Sequence, residues 1–176
     1  AAYFINEIEY PFFAYYLEGK GRKPAPVTVL PSAETREEVM KDRKVDDQWL
    51  QFPCWPPKGT HLKRLTLKGG TVVADPWNPV PYYNNVEIRR RDRAYMAADQ
   101  RFASQRSDVL TFSWPAQQDT LRLMGPVNVR LTLNTSATDL DAVVKLIDVR
   151  PDGYEMLVRG DVMPARFRHS FSAPEA

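Results

Sequence analysis

A single cysteine, Cys54, leaves this chain unable to form an internal disulfide. That removes one marker of a secreted protein without proving a cytosolic one. Lying between Phe52 and Trp55, Cys54 reads as a small buried hydrophobe rather than a nucleophile. No apolar run approaches the length of a membrane span. No charged n-region followed by an apolar h-region opens the chain, which says nothing about the address of a longer parent. The formal net charge is only +2, too small to imply nucleic acid or an acidic membrane as partner. The tightest basic cluster, Arg89, Arg90, Arg91 and Arg93, is interrupted by Asp92 and preceded by Glu87, and reads as a solvated loop rather than an anion site. There is no internal repeat and no glycine-rich phosphate loop; Gly19 and Gly21 alone are too short a pattern to count.

The usual signatures of catalysis are missing too. A strained nucleophilic serine needs a G-x-S-x-G elbow, because only small residues fit around it. None of Ser32, Ser104, Ser107, Ser113, Ser136, Ser170 and Ser172 has flanking glycines. The two histidines are His61 and His169. His169 adjoins Ser170, and neighbours on a strand point to opposite faces, which argues against a dyad. Asp139 and Asp141 have i, i+2 spacing, but Asp148 and Asp152 lie too far along to complete the oxygen shell that calcium needs. A structural role at strand ends, binding loop N–H groups, is preferred to a metal. Lys145 and Asp148 interrupt the densest apolar stretch, and an ion pair to neighbouring strands is the expected explanation rather than a buried site.

What the chain does contain is β pattern. Hydrophobic residues make up 43%, and fifteen prolines punctuate the chain into short pieces. Residues 142–149 form a dense apolar run that stops at Pro151-Asp152-Gly153, a turn in which proline presets φ and glycine tolerates positive φ. Residues 154–158 alternate Tyr154, Met156 and Val158 against polar neighbours, the pattern of a hairpin's return strand. Residues 127–134 alternate Val127, Val129, Leu131 and Leu133 against Asn128, Arg130, Thr132 and Asn134. Strands are expected at 109–114, 120–124, 127–135, 142–150, 154–158 and 165–171. That spacing predicts a mainly β fold, an antiparallel β-sandwich or jelly roll. Leu110, Phe112, Leu123, Val127, Val129, Leu131, Leu133, Val144, Leu146, Ile147, Met156 and Val158 are expected to form its core. Upstream, 27–30 reads as a short strand, 32–47 as a charged loop or short helix, and 75–81 as extended polyproline-like chain. Residues 1–17 read as an aromatic-rich helix, kinked or restarted at Pro11 and ended by Gly19 and Gly21. Phe4, Ile8, Phe12, Phe13 and Tyr16 offer more apolar surface than a lone short helix can hide.

The order DVLTF (108–112), LMGPVNVRLTLNTSATDLDAVVKLIDVRPDG (123–153) and GDVMPARFRHSF (160–171) resembles the C-terminal β-domain of the cocaine esterase/Xaa-Pro dipeptidyl-peptidase class of serine hydrolases. Within that class it is most similar to α-amino acid ester hydrolases and glutaryl-cephalosporin acylases. Supporting blocks are PFFAYYLEGKG (11–21), WLQFPCWPPKG (49–59), ADPWNPVPYY (74–83) and ADQRF (98–102). The resemblance implies a galactose-binding-like jelly roll over 22–176, with 1–21 left from the end of an α/β-hydrolase domain. It implies that the catalytic residues lie upstream in that domain, so no catalytic residue, no metal ligand and no cofactor is assigned here. The chain alone is then not an enzyme, whereas its parent is a serine hydrolase. The implied partner is the α/β-hydrolase catalytic domain of the same protein. Residues 77–83, with the loop to 98, correspond to a segment that helps roof the active site. Tyr82, Tyr83 and Tyr95 there are candidate walls of the substrate pocket, or else interdomain core, the preferred reading.

The family's β-domain runs on past RFRHSF, so the sandwich is expected to be incomplete here. Open edges would then invite homo-oligomer formation or strand exchange. A periplasmic or secreted bacterial parent and a cytoplasmic one both stay open. The rival function is a free-standing carbohydrate-binding or adhesion β-sandwich. An exposed row of aromatics would favour it, but Trp49, Trp55, Trp77 and Trp114 sit beside prolines or in apolar patterns, which reads as packing.

Overall fold

The computed structural model describes residues 3–31, 49–81, 83 and 97–175, which fall into two compact units. The first holds 3–31, 49–65 and 116–128; the second holds 66–81, 83, 97–115 and 129–175. Among the described residues the chain is mainly β, with two antiparallel two-stranded sheets and a few short helices.

In the first unit, a π-helical stretch Phe4–Glu9 runs directly into helix α1, Tyr10–Glu18. The change of winding falls at Pro11, whose ring supplies no N–H and suits the first turn of a new helix. Helix α1 ends where Gly19 turns left-handed, at φ 68°, and Lys20 N–H reaches back to Ala14 O at 2.9 Å. No residue of either helical stretch is buried. Phe4, Ile5, Phe12, Phe13, Tyr16 and Leu17 are exposed, while Ile8 is half-buried. The aromatic rings pack mostly on each other: Phe12 meets Tyr16 at 4.8 Å and Phe13 at 5.4 Å between centroids. Strand β1, Val27–Val29, pairs with β2, Leu50–Phe52, in the register Val27 to Phe52 and Val29 to Leu50. The charged stretch expected as a loop or short helix at 32–47 lies outside the described residues.

The second unit is organised by one hairpin. Strand β3, Asp141–Val149, pairs with β4, Glu155–Pro164. Pro151-Asp152-Gly153 makes the turn as its residues dictate. Gly153 sits at φ 84° and donates to Arg150 O at 2.9 Å, while the Asp152 carboxylate accepts from Tyr154 N–H at 2.9 Å. The ladder shifts register between Leu146 and Ile147, which face Arg159 and Leu157, so Val158 is an extra residue on β4. Strand β4 therefore runs past the expected end at 158, to Pro164.

Three expectations are corrected. Residues 165–171 are not a strand: Pro164 ends the ladder, and Ala165–Phe167 forms a 3₁₀ turn held by Ala165 N–H to Leu140 O at 2.8 Å. Residues 109–114, 120–124 and 127–135 run without regular structure and join no ladder among the described residues. The predicted core is accordingly reduced. Met156 is buried and Val144, Leu146, Ile147 and Val158 are half-buried. Leu110, Phe112, Leu123, Val127, Val129, Leu131 and Leu133 are exposed. A one-residue slip is not the cause, because Asn128, Arg130, Thr132 and Asn134 are exposed as well. Both faces are open because these segments have no strand neighbour among the described residues.

Candidate functional site

The best-packed part of the second unit is the ADQRF block seated on the hairpin. Asp99 pairs with Met156 in a single antiparallel bridge, and Gln100 N–H donates to Glu155 O at 2.9 Å. A one-turn helix, α2, Arg101–Ser104, follows. Gln100 is only 2% exposed, so each polar atom of its amide needs a partner. Its Nε2 donates to Ala98 O at 2.8 Å, and its Oε1 accepts from Lys145 Nζ, also at 2.8 Å. Lys145 Nζ stands 5.3 Å from the centroid of the Phe102 ring, a cation–π placement. Gly160 faces Lys145 in the ladder, and a Cβ there would meet Lys145 Cγ at an ordinary packing distance of 3.5 Å. Tyr154 Oη donates to Ala97 O at 2.6 Å and ties the start of the block to the hairpin turn.

Lys145 is thus satisfied, but not by the ion pair that the sequence suggested. Its acceptor is a neutral amide and its second contact an aromatic face. Asp148 takes Arg150, two residues along the chain just past the end of β3 and 4.0 Å away, with its carboxylate half in water. Burial holds the Lys145 amine below the usual lysine range. Its folded-state pKa therefore lies under the unfolded one. Between the two values the unfolded chain holds more protons, so stability rises with pH in that window. Wild type is expected to gain stability relative to Lys145→Met as pH rises toward the unfolded lysine value of about 10.4, read from urea midpoints. A gap that stayed constant would mean a fully hydrated amine.

Asp99 and Arg101 pair through the guanidinium Nε at 2.7 Å and the Arg101 backbone N–H at 3.1 Å. Burial pushes the Asp99 carboxyl up, but the Arg101 contacts together hold it below its ordinary value. Asp99, Arg101, Phe102 and Gln105 line a shallow cavity of ≈ 390 Å³.

A second arrangement lies just downstream. Arg106 grips Asp108 with two bonds, Nε to Oδ1 at 2.8 Å and Nη2 to Oδ2 at 2.7 Å, and Nη2 also donates to Asn78 O at 2.6 Å. The Arg106 bond holds Asp108 well ionised. Asn78 belongs to a tight turn in which Asp75 Oδ1 accepts from Trp77 N–H at 2.9 Å and Asp75 O accepts from Asn78 N–H at 3.1 Å. Val73, Asp75, Asn78, Arg106, Ser107 and Asp108 line a cavity of ≈ 300 Å³. The turn carries Trp77 at 96% exposure, which corrects the expectation that this indole is packed. The carboxylate of Asp75 and the grip of Arg106 hold the backbone in place, while the flanking Pro76 and Pro79 offer no N–H groups for a ladder.

Of the proposed pocket tyrosines, Tyr83 is half-buried, and Tyr82 and Tyr95 lie outside the described residues. His169 does not face Ser170; its Nδ1 is 2.8 Å from Glu175, which also pairs with Arg168 at 2.6 Å. Asp139 is held by Arg166 at 2.7 Å. Gln100, Phe102 and Arg106 were not singled out from the sequence. For Arg106, the i, i+2 carboxylate of Asp108 was the available signal.

The sequence profile of the X-Pro dipeptidyl-peptidase C-terminal non-catalytic domain matches residues 29–176. The chain belongs to this family. It is 33% identical over 110 residues to the cocaine esterase of Rhodococcus sp. (strain MB1 Bresler), an overlap covering 62% of this chain and 19% of that protein. The chain thus spans about a fifth of the length of that curated relative. No solved structure matches it significantly. The matched profile is that of a non-catalytic C-terminal domain.

Proposed function

We propose that this domain supports and partly roofs the active site of an α/β-hydrolase catalytic domain in the same protein, a serine hydrolase of acyl esters, acyl amides or Xaa-Pro peptides. The observation that carries the reading is Trp77, almost wholly exposed on a turn that is itself pinned by Asp75 and Arg106. An indole held out on a fixed backbone loses little entropy when a second surface covers it. Residues 1–21 are read as the closing segment of the catalytic domain, supported by the uncovered Phe12, Phe13, Tyr16 and Leu17 on α1.

In the full-length protein, Trp77→Ala is expected to raise KM for a chromogenic acyl ester roughly ten-fold, the size of one lost aromatic contact, with kcat nearly unchanged. An unaltered KM would remove the roofing role and leave support alone.

The sugar-binding alternative draws on the same exposed indole next to a polar cavity. Against it, Asp108 and the Asn78 carbonyl are taken by Arg106 and the Asp75 carboxylate by the Trp77 N–H, leaving few groups for hydroxyls. A specific hit on a glycan array would reverse the preference.

A further inference from the structure

We propose that Lys145 and Arg106 are positioning residues: the bond from Lys145 to Gln100 fixes the segment 100–108, and Arg106 at its far end sets the Trp77 turn. The consequence for substrate rests on the roofing role proposed above; the mechanical coupling does not.

Every link lies within the second unit. Strand β3 carries Lys145, whose ammonium holds the Gln100 amide at 2.8 Å and covers the Phe102 ring. Gln100 makes four more hydrogen bonds: its N–H donates to Glu155 O, its Nε2 to Ala98 O, and its backbone carbonyl accepts from the N–H groups of Ala103 at 2.9 Å and Ser104 at 3.0 Å. The amide group is thus the fixed point from which α2 starts. The next residues allow little slack. Arg106 N–H bonds to Ala103 O at 3.1 Å, and Thr111 Oγ1 bonds to Ser104 O at 3.2 Å. The guanidinium of Arg106 is locked by both oxygens of Asp108, which leaves its Nη2 aimed at the Asn78 carbonyl. That carbonyl is in the turn that carries Trp77. A bidentate fork has a defined direction, so it transmits position and not merely charge.

Lysine suits the first link for a physical reason. An aliphatic residue at 145 would leave Gln100 Oε1 buried without a donor, and the amide would turn to find another. The block would still sit on the hairpin through its backbone bonds, but the start of α2 would no longer be held from two sides. The neutral acceptor keeps the contact tolerant of ionic strength, unlike a surface ion pair.

The test uses the full-length protein and the variants Lys145→Met and Arg106→Lys, alone and with Trp77→Ala. Lys145→Met keeps roughly the length but loses both the donor and the cation over Phe102, and Arg106→Lys keeps the charge but loses the fork. Amide hydrogen exchange is read over residues 75–80, with a melting curve to confirm folding. Both single variants are expected to speed exchange at Trp77 and Asn78 at least several-fold. Either folded variant leaving exchange there unchanged overturns the coupling, whatever the enzyme assay gives. If Lys145→Met fails to fold, Arg106→Lys and the milder Lys145→Arg, which keeps a donor and is expected to preserve slow exchange, decide the matter by the same readout. In the ester assay, each single variant is expected to raise KM about three- to ten-fold, as a displaced positioning group does. In the Trp77→Ala background neither should raise KM further. An equal KM rise with and without Trp77 means that the KM effect does not run through the indole, and the consequence for substrate falls, while the coupling itself is decided by exchange alone. Faster exchange together with a KM indifferent to Trp77→Ala leaves the coupling standing and sinks the roofing role.

Discussion

Met156→Ala is expected to destabilise the 176-residue chain by about 2–5 kcal/mol, the usual loss for a buried methionine. Among the described residues it is the one large apolar side chain that is buried, at 4% exposed. The other buried apolar residues, Ala97, Ala98 and Ala103, are small and have no bulk to move into the cavity. Met156 also pairs with Asp99 across the bridge that seats the ADQRF block, and its sulfur accepts from Arg150 Nη2 at 3.5 Å. The informative comparison is Leu131→Ala. Alternation in the sequence marks Leu131 for the core with a similar cost, yet it is 41% exposed, and its loss is expected to stay within about 0.5 kcal/mol. Urea midpoints at constant m-value separate the two. Equal losses would mean that 127–135 is covered in solution after all.

The second large effect is expected at Gln100. Gln100→Leu keeps the volume but removes both ends of the amide, leaving the Lys145 ammonium and the Ala98 carbonyl without their partner. A loss of about 2–3 kcal/mol follows from stranding a half-buried charge and a carbonyl. The double variant Gln100→Leu with Lys145→Met is expected to recover a large part of it, because removing both partners leaves no unsatisfied charge. If the single change costs under about 0.5 kcal/mol, water reaches Lys145 freely and the clamp has no energetic content.

The hairpin was legible because its information is local. Pro151, Asp152 and Gly153 each supply a conformation or a bond that the turn needs, and the flanking runs are long. The bulge was not legible. Tyr154, Met156 and Val158 read as one face, but the extra residue at Val158 puts Arg159, opposite Leu146, in step with Met156, opposite Asp148. Nothing in the alternation marks that shift. The failure at 109–135 has another cause. Alternation records which side chains want burial, whereas a ladder also needs a neighbouring strand, and the described residues supply none. The ADQRF block stood out as a family block, but not its bond to Lys145. The two are 45 residues apart, and an uncharged acceptor gives no hint of the cation it will hold. The prolines around Trp77 suggested packing; what they accompany is a turn that lifts the indole clear of the chain.

An indole so completely in water is also a built-in optical gauge. Trp77 should emit at the red end of the tryptophan range and be open to collisional quenchers, whereas Trp49 is partly covered and meets the rings of Tyr3 and Phe4. Any surface that closes over the turn would shift that emission to the blue and shield it. Trp55 and Trp114 are exposed as well, so seating of this domain could be followed without a label as the difference in emission between the protein and Trp77→Phe.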